Sequence, residues 1–240
     1  MKKLSIFVGL VALGVLIGGW GGPALKNWIV VHSAPRQMQS YLRSHSVRKL
    51  QIGAGTVDYP GWLNTDIEPS SEQVYLDATK PFPLPDGSIQ YIFGEHVIEH
   101  LSYDDGLAML RECHRVLSSG GKIRLATPNL LKYLQLFQNP KTEEIDRYLV
   151  GKLKWHDWPQ TAHPETEILN LELHSFGHQF VYDPATLSDS LAQAGFARVS
   201  QFAPGTSDDS QLQGVEARHE NAGLRSLNDY ETMVLQAVRP

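Results

Sequence analysis

Lys49-Leu50-Gln51-Ile52-Gly53-Ala54-Gly55, followed shortly by Pro60-Gly61-Trp62-Leu63-Asn64-Thr65-Asp66-Ile67, is the stretch on which the reading of this chain turns. A short apolar run ending in Gly-x-Gly reads as a buried strand that leaves a tight turn. Neither glycine projects a Cβ, so backbone can approach a ligand closely there. Alone, a Gly-x-Gly says little. The dinucleotide fingerprint needs a third glycine, where this chain has Asp58, and an acid about 20 residues further on. Asp66 comes much sooner, at the end of a second strand. That combination disfavours NAD and points to a nucleoside cofactor without a pyrophosphate.

Outward from the turn, strands are predicted over residues 62–66, 73–76 and 89–93. The carboxylate of Asp66 ends the second strand, where it is able to accept hydrogen bonds from both hydroxyls of a ribose. Asp77-Ala78 ends the third and faces the same crevice, within reach of an adenine amine. Each acid taken singly reads equally well as a turn cap. Three such features at consecutive strand ends favour a ligand crevice at a switch point of the sheet. Leu107, Leu110, Cys113 and Val116 recur at helical spacing over residues 104–117, and Ser118-Ser119-Gly120-Gly121 stops that helix. A fifth strand follows over 122–126, ending at Pro128. Asp183 and Pro184 open a later helix that Gly195 closes, and residues 197–202 and 231–238 read as closing strands. Apolar runs alternating with helical patterns make an α/β domain.

These segments together resemble a known family. Leu50 to Gly55 with Gly61-Trp62-Leu63-Asn64-Thr65-Asp66-Ile67 is similar to the cofactor motif of a methyltransferase type 11-like subgroup, in which a Gly-Trp-x-Asn-x-Asp-Ile segment replaces a long first crossover. The run from Asp77 to Ser88 matches the loop between its third and fourth strands. Glu95-His96-Val97-Ile98-Glu99-His100-Leu101 resembles its His-x-x-Glu-His segment, and Arg111 to Leu117 with Gly120-Gly121 its next helix and turn. The resemblance covers residues 48–128 closely and 174–202 loosely. One departure is Ala54, where the family often has Cys. The resemblance implies a Rossmann-like class I methyltransferase fold, a seven-stranded sheet with flanking helices whose last strand is antiparallel. It also implies S-adenosyl-L-methionine as the cofactor. Gly53, Ala54 and Gly55 would line its methionine portion, with Asp66 and the neighbouring Ile67 at the ribose. Asp77 and Ala78 would flank adenine, and Glu95 and His96 would lie near the sulfonium and the acceptor. His96 is the candidate catalytic base, because imidazole titrates near working pH. His100 lies one turn further along; pairing of Glu99 and His100 within their own turn is the plainer reading.

Residues 141–182 break the alternation and read as an insertion or lid over the sheet edge. His174, His178 and Tyr182 form a second polar cluster beside Glu172, and with His100 they are candidate acceptor-site residues. No metal is expected: His174 and His178 are spaced for a helical pair, but Gly177 lies between them and no Cys is near. Trp155, His156, Trp158 and Pro159 suit either the floor of a sugar or lipid site or simple packing. Arg147, Lys152 and Lys154 suit either phosphate groups or solvent.

The N-terminus departs from the rest. Across 240 residues the chain is 42% hydrophobic and 20% charged, ordinary for a globular protein, yet residues 4–20 carry no charge at all. This reads as a retained single-pass membrane helix over residues 1–23, with a linker or helix over 24–47 and the methyltransferase domain over 48–240. A cleaved signal peptide, which would leave a secreted protein, is the rival. Flanking charges are nearly balanced, so the cytosolic origin of the cofactor tips the expected orientation toward a cytoplasmic catalytic domain. Cys113 has no partner for a disulfide. A net charge of -5 argues against a nucleic-acid partner and favours a small or lipid-linked acceptor such as a glycan. A non-catalytic scaffold on the same fold is the alternative, against which the intact Gly53-x-Gly55 and Asp66 stand.

Overall fold

The computed structural model describes residues 22–157, 162–218 and 225–240. The segment expected to span a membrane lies outside them. Among the described residues no helix is long and apolar enough to cross one.

Helix α1 (Gly22–Ser44) runs through Pro35 without ending. The stretch expected as a linker or helix is helical, and its second half packs on the sheet. Ala34, Met38 and Tyr41 are buried, and the Tyr41 hydroxyl lies 3.0 Å from Lys49 O and 2.9 Å from Gly61 O. The helix is thereby fastened to the start of the first strand and to the turn before the second.

Seven strands form one sheet: β1 (Lys49–Ile52), β2 (Leu63–Asp66), β3 (Val74–Tyr75), β4 (Ile89–Glu95), β5 (Leu117–Pro128), β6 (Ala197–Phe202) and β7 (Thr232–Val238). Their order is β3-β2-β1-β4-β5-β7-β6. β1 pairs in parallel with both β2 and β4, whereas β7 is antiparallel to β5 and β6. Chain direction across the sheet therefore reverses its order between β1 and β4, and the crevice outside their carboxyl ends is where such sheets take ligands. The predicted strands are all present. The third is shorter than expected because only Val74 and Tyr75 pair with Thr65 and Asp66. The fifth begins earlier, the chain passing straight from the helix into strand at Leu117.

Helix α2 (Tyr103–Val116) is capped by Ser102, whose hydroxyl accepts from Asp105 N–H, and it buries Leu107, Leu110, Cys113 and Val116 against the sheet. Burying four such side chains contributes on the order of 6–10 kcal/mol before the cost of ordering them. Helices α3 (Leu130–Gln135), α4 (Glu143–Trp155), α5 (Pro164–His174) and α7 (Arg225–Glu231) surround a second apolar cluster that includes Tyr133, Ile145, Tyr148, Ile168, Leu227 and Tyr230. The expected lid over residues 141–182 thus contains two helices with a core of their own. Helix α6 (Pro184–Gln193) has the predicted cap: Asp183 accepts from Ala185 N–H at 2.8 Å and Thr186 N–H at 2.9 Å.

Candidate functional site

The crevice holds two adjoining cavities. The first, about 310 Å³, is walled by Gly53, Gly55, Asp66, Ile67, Asp77 and Ala78 from the ends of β1, β2 and β3. Gly53 has φ +65°, and a Cβ there would lie 2.3 Å from Val97 Cγ2. Only glycine fits that position, and its bareness leaves the backbone open to the cavity. Asp66 is held from both sides: Oδ2 accepts from Gly55 N–H at 2.9 Å and Oδ1 from Glu68 N–H at 2.9 Å. Each oxygen keeps further acceptor capacity, enough for a pair of ribose hydroxyls. Asp77 caps its own turn and stands at the crevice. Its Oδ1 accepts from Thr79 N–H at 2.9 Å and from the Thr79 hydroxyl at 2.7 Å, while the residue also walls the cavity.

Ala54 and Glu95 are buried behind that wall. Ala54 N–H donates to Thr65 O at 2.9 Å and so locks the ends of β1 and β2 together. Burial pushes the Glu95 carboxyl above the ordinary carboxylate value, against the opposing pull of His96 and Arg218.

His96 follows β4 with φ +52°, a conformation rare outside glycine. Strain of this kind persists where surrounding structure imposes it, often at working sites. The ring is nearly buried and borders both cavities. Its Nδ1 lies 3.0 Å from Glu99 Oε1, and the other Glu99 oxygen accepts from the Thr127 hydroxyl at 2.9 Å. A buried carboxylate therefore orients the imidazole. Burial disfavours the charged ring, but Glu99, with Glu95 and Glu231, outweighs it and holds His96 above the ordinary imidazole value.

The second cavity, about 270 Å³, shares His96, His100 and Arg218 with the first. Lys152, Glu172 and Glu231 line its inner side, and Trp155, Phe176 and His178 its rim. Lys152 was grouped with phosphate-binding or solvated cations by its place in the sequence. It is instead 2% exposed, 2.8 Å from Glu172 Oε1 and 2.6 Å from Glu231 Oε2. Arg147 is exposed beside Glu143, and Lys154 is exposed too. The Tyr148 hydroxyl also donates to Glu231.

Two of the acceptor-site candidates do not reach either cavity. His174 ends α5 on the surface, so the helical pair with His178 does not form. Tyr182 is fully buried against Phe180 and Gly106, away from both cavities. Trp158 and Pro159 lie outside the described residues. Arg218 is the residue that sequence reasoning missed. Its guanidinium donates to Gly53 O at 2.7 Å, across the glycine turn. The loop that carries it is pinned by a buried ion pair, Arg124 with Glu216, at 2.5 and 2.9 Å. No periodicity marks such a loop; only the chain's return over the sheet brings it there.

Residues 50–125 match the family model of a methyltransferase domain. No curated protein matches the chain. Among solved structures, the chain resembles an S-adenosylmethionine-dependent methyltransferase of Thermotoga maritima, described as a possible histamine N-methyltransferase. The identity is 15%, covering 92% of this chain and 96% of that one, with a TM-score of 0.46. A second methyltransferase, from Archaeoglobus fulgidus, gives 16% identity over 88% and 93%, with a TM-score of 0.45. A third, from Mesorhizobium loti, gives 18% over 88% and 98%, with a TM-score of 0.44. The family match covers the segment that builds most of the first cavity's wall, where the bare glycine turn and the doubly held Asp66 lie, and the strand order puts the crevice at the switch point of the sheet.

Proposed function

We propose that the chain is an S-adenosylmethionine-dependent methyltransferase and that its methyl group goes to a small polar acceptor, a hydroxyl of a glycan or lipid-linked sugar, presented close to a membrane surface. The observation that carries this reading is the second cavity. Its volume of about 270 Å³ suits one sugar-sized group, and half-exposed Trp155 and Phe176 at its rim offer the flat faces on which a sugar ring stacks. Trp28, Ile29, Val30 and Val31, consecutive on α1 and exposed, come a few residues after the uncharged residues 4–20, beyond Lys26. Such a run supports contact with lipid beside a single-pass anchor, and the cytosolic origin of the cofactor favours the cytoplasmic side for the domain.

The bound cofactor supplies an activated methyl group on a sulfonium, so the chain's own task is alignment. Gly53 and Asp66 fix one end of the crevice, and the shared wall of His96, His100 and Arg218 sets where an acceptor in the second cavity meets it. Orientation of this kind supplies up to about 7–11 kcal/mol of the barrier in ideal cases. A hydroxyl acceptor must also give up a proton. His96 is placed to take it, its ring held by Glu99.

The test is transfer of labelled methyl from S-adenosylmethionine by the full chain into a membrane extract, with Asp66→Ala as the control. Label in the glycolipid fraction, lost in the variant, is the expected result. Label found only in protein or RNA would overturn the acceptor class.

A further inference from the structure

The turn after His96 and the chain after α5 meet where the two cavities join. Gln179 N–H donates to Glu99 O at 2.7 Å, and the Gln179 side chain donates to His100 O at 2.7 Å. These bonds fasten the segment of His178 against the turn of Glu99 and His100. The two imidazoles meet edge to face, with centroids 4.9 Å apart. A donor atom from each of Glu99, His100 and His178 lies within 4.8 Å of the other two.

We propose that Glu99, His100 and His178 bind one divalent transition-metal ion at the mouth of the second cavity. Two imidazoles and a carboxylate are a donor set for zinc, manganese or iron, not for calcium or magnesium, which prefer oxygen alone. The tautomer of His178 is set for this role. Its Nδ1 lies 2.5 Å from Glu172 O and so carries the proton, which leaves Nε2 as the ligating atom. Glu99 bonds to His96 and Thr127, yet a carboxylate oxygen accepts more than one bond, so capacity for a cation remains. Metal–ligand distances of about 2.0–2.2 Å require the donors to draw closer than they stand. His100 and His178 are only partly buried and have room to turn.

Three protein ligands leave coordination positions open, and His100 and His178 both line the second cavity. That location makes an oxygen acceptor the natural fourth ligand, a step that rests on the methyl-transfer reading. A hydroxyl held on the cation loses its proton to His96 more readily. Its oxygen then bonds the methyl carbon as the carbon–sulfur bond breaks, with the electron pair remaining on sulfur.

The full chain, without a polyhistidine tag and stripped with a chelator, would be titrated with Co²⁺ and Zn²⁺, following visible absorption and heat. S-adenosylmethionine would be titrated into the same samples. One equivalent of metal is expected, with affinity reduced at least tenfold in both His100→Ala and His178→Ala and unchanged in His174→Ala. His178→Ala, which lies outside the first cavity, should bind S-adenosylmethionine within twofold of wild type, showing that the variant is folded. Metal binding that is absent, or undiminished in His178→Ala, would overturn the site. Failure of the wild type to bind S-adenosylmethionine while it binds metal would sustain the site and count against methyl transfer.

Discussion

Where the first cavity is walled largely by backbone and short side chains from one continuous stretch, residues 53–79, the second is assembled from charged and aromatic side chains of elements far apart in the chain. Gly53, Gly55 and Asp66 act through turn geometry, and their polar partners are mostly neighbouring amides. Lys152, Glu172 and Glu231 come from α4, α5 and the end of α7, and they satisfy one another. The first arrangement costs little to keep empty, because amides and short acids remain partly solvated. The second commits three buried charges, whose desolvation is repaid only while all three stay together. On the proposed methyl-transfer reading, the half that would receive a fixed cofactor is built from rigid local turns, and the half that would select an acceptor from long-range packing.

The sharpest way to break this contrast is Lys152→Met, which keeps the shape and removes the charge. Two buried carboxylates then lack their cation, and the fold should lose about 3–5 kcal/mol, read as a fall in denaturant midpoint. Burial opposes the charge of Lys152, but Glu231 and Glu172 outweigh burial and raise its pKa above the ordinary lysine value. A raised pKa in the folded state stabilises fully below the unfolded value, near 10.4, and that contribution fades as pH rises through the folded one. The gap between wild type and variant should therefore narrow in alkali above about pH 10.4, and also toward acid, where the two carboxylates left without a cation take up protons. A gap that stays constant through strong alkali would mean the pair is not as described.

Gly53→Val should act on the other half with nearly equal force. The new Cβ meets Val97 in a backbone conformation that β-branched residues avoid. Strain and overpacking of about 3 kcal/mol should abolish cofactor binding in calorimetry, a loss of a hundredfold or more. Unimpaired binding would mean that the turn is not where the cofactor lies. Thr127→Val removes one bond to the buried Glu99 carboxylate and should cost about 2 kcal/mol of stability. Because it lies behind His96, it should lower turnover without changing the affinity for S-adenosylmethionine; a changed affinity would blur the division between the halves. Asp66→Ala should weaken the cofactor about tenfold, or 1.4 kcal/mol, with little change in melting temperature.

How far each half could be read in the sequence follows the same division. Gly53-x-Gly55 after an apolar run and an acid at the next strand end are local signals, so both were legible. Asp183 before Pro184 was legible as a cap for the same reason. Lys152 was not: on α4 it follows Arg147 and precedes Lys154, and nothing local separates a buried lysine from its exposed neighbours. His174 and His178 have helical spacing, Gly177 argues against a helical pair, and α5 does end at His174; what no local signal gave is that the ring beside His178 is His100, which follows β4.

The sequence by itself determined the alternation of strands and helices, the bare turn at the switch point and the acids beside it. Each depends on a period or on a backbone conformation that a few adjacent residues impose. Only the tertiary structure decided that α1 packs on the domain, that Arg218 crosses the glycine turn, and that Lys152 bridges two acids in the wall of the second cavity. Those outcomes depend on which distant surfaces are buried together, and that is settled by the packing of the whole chain.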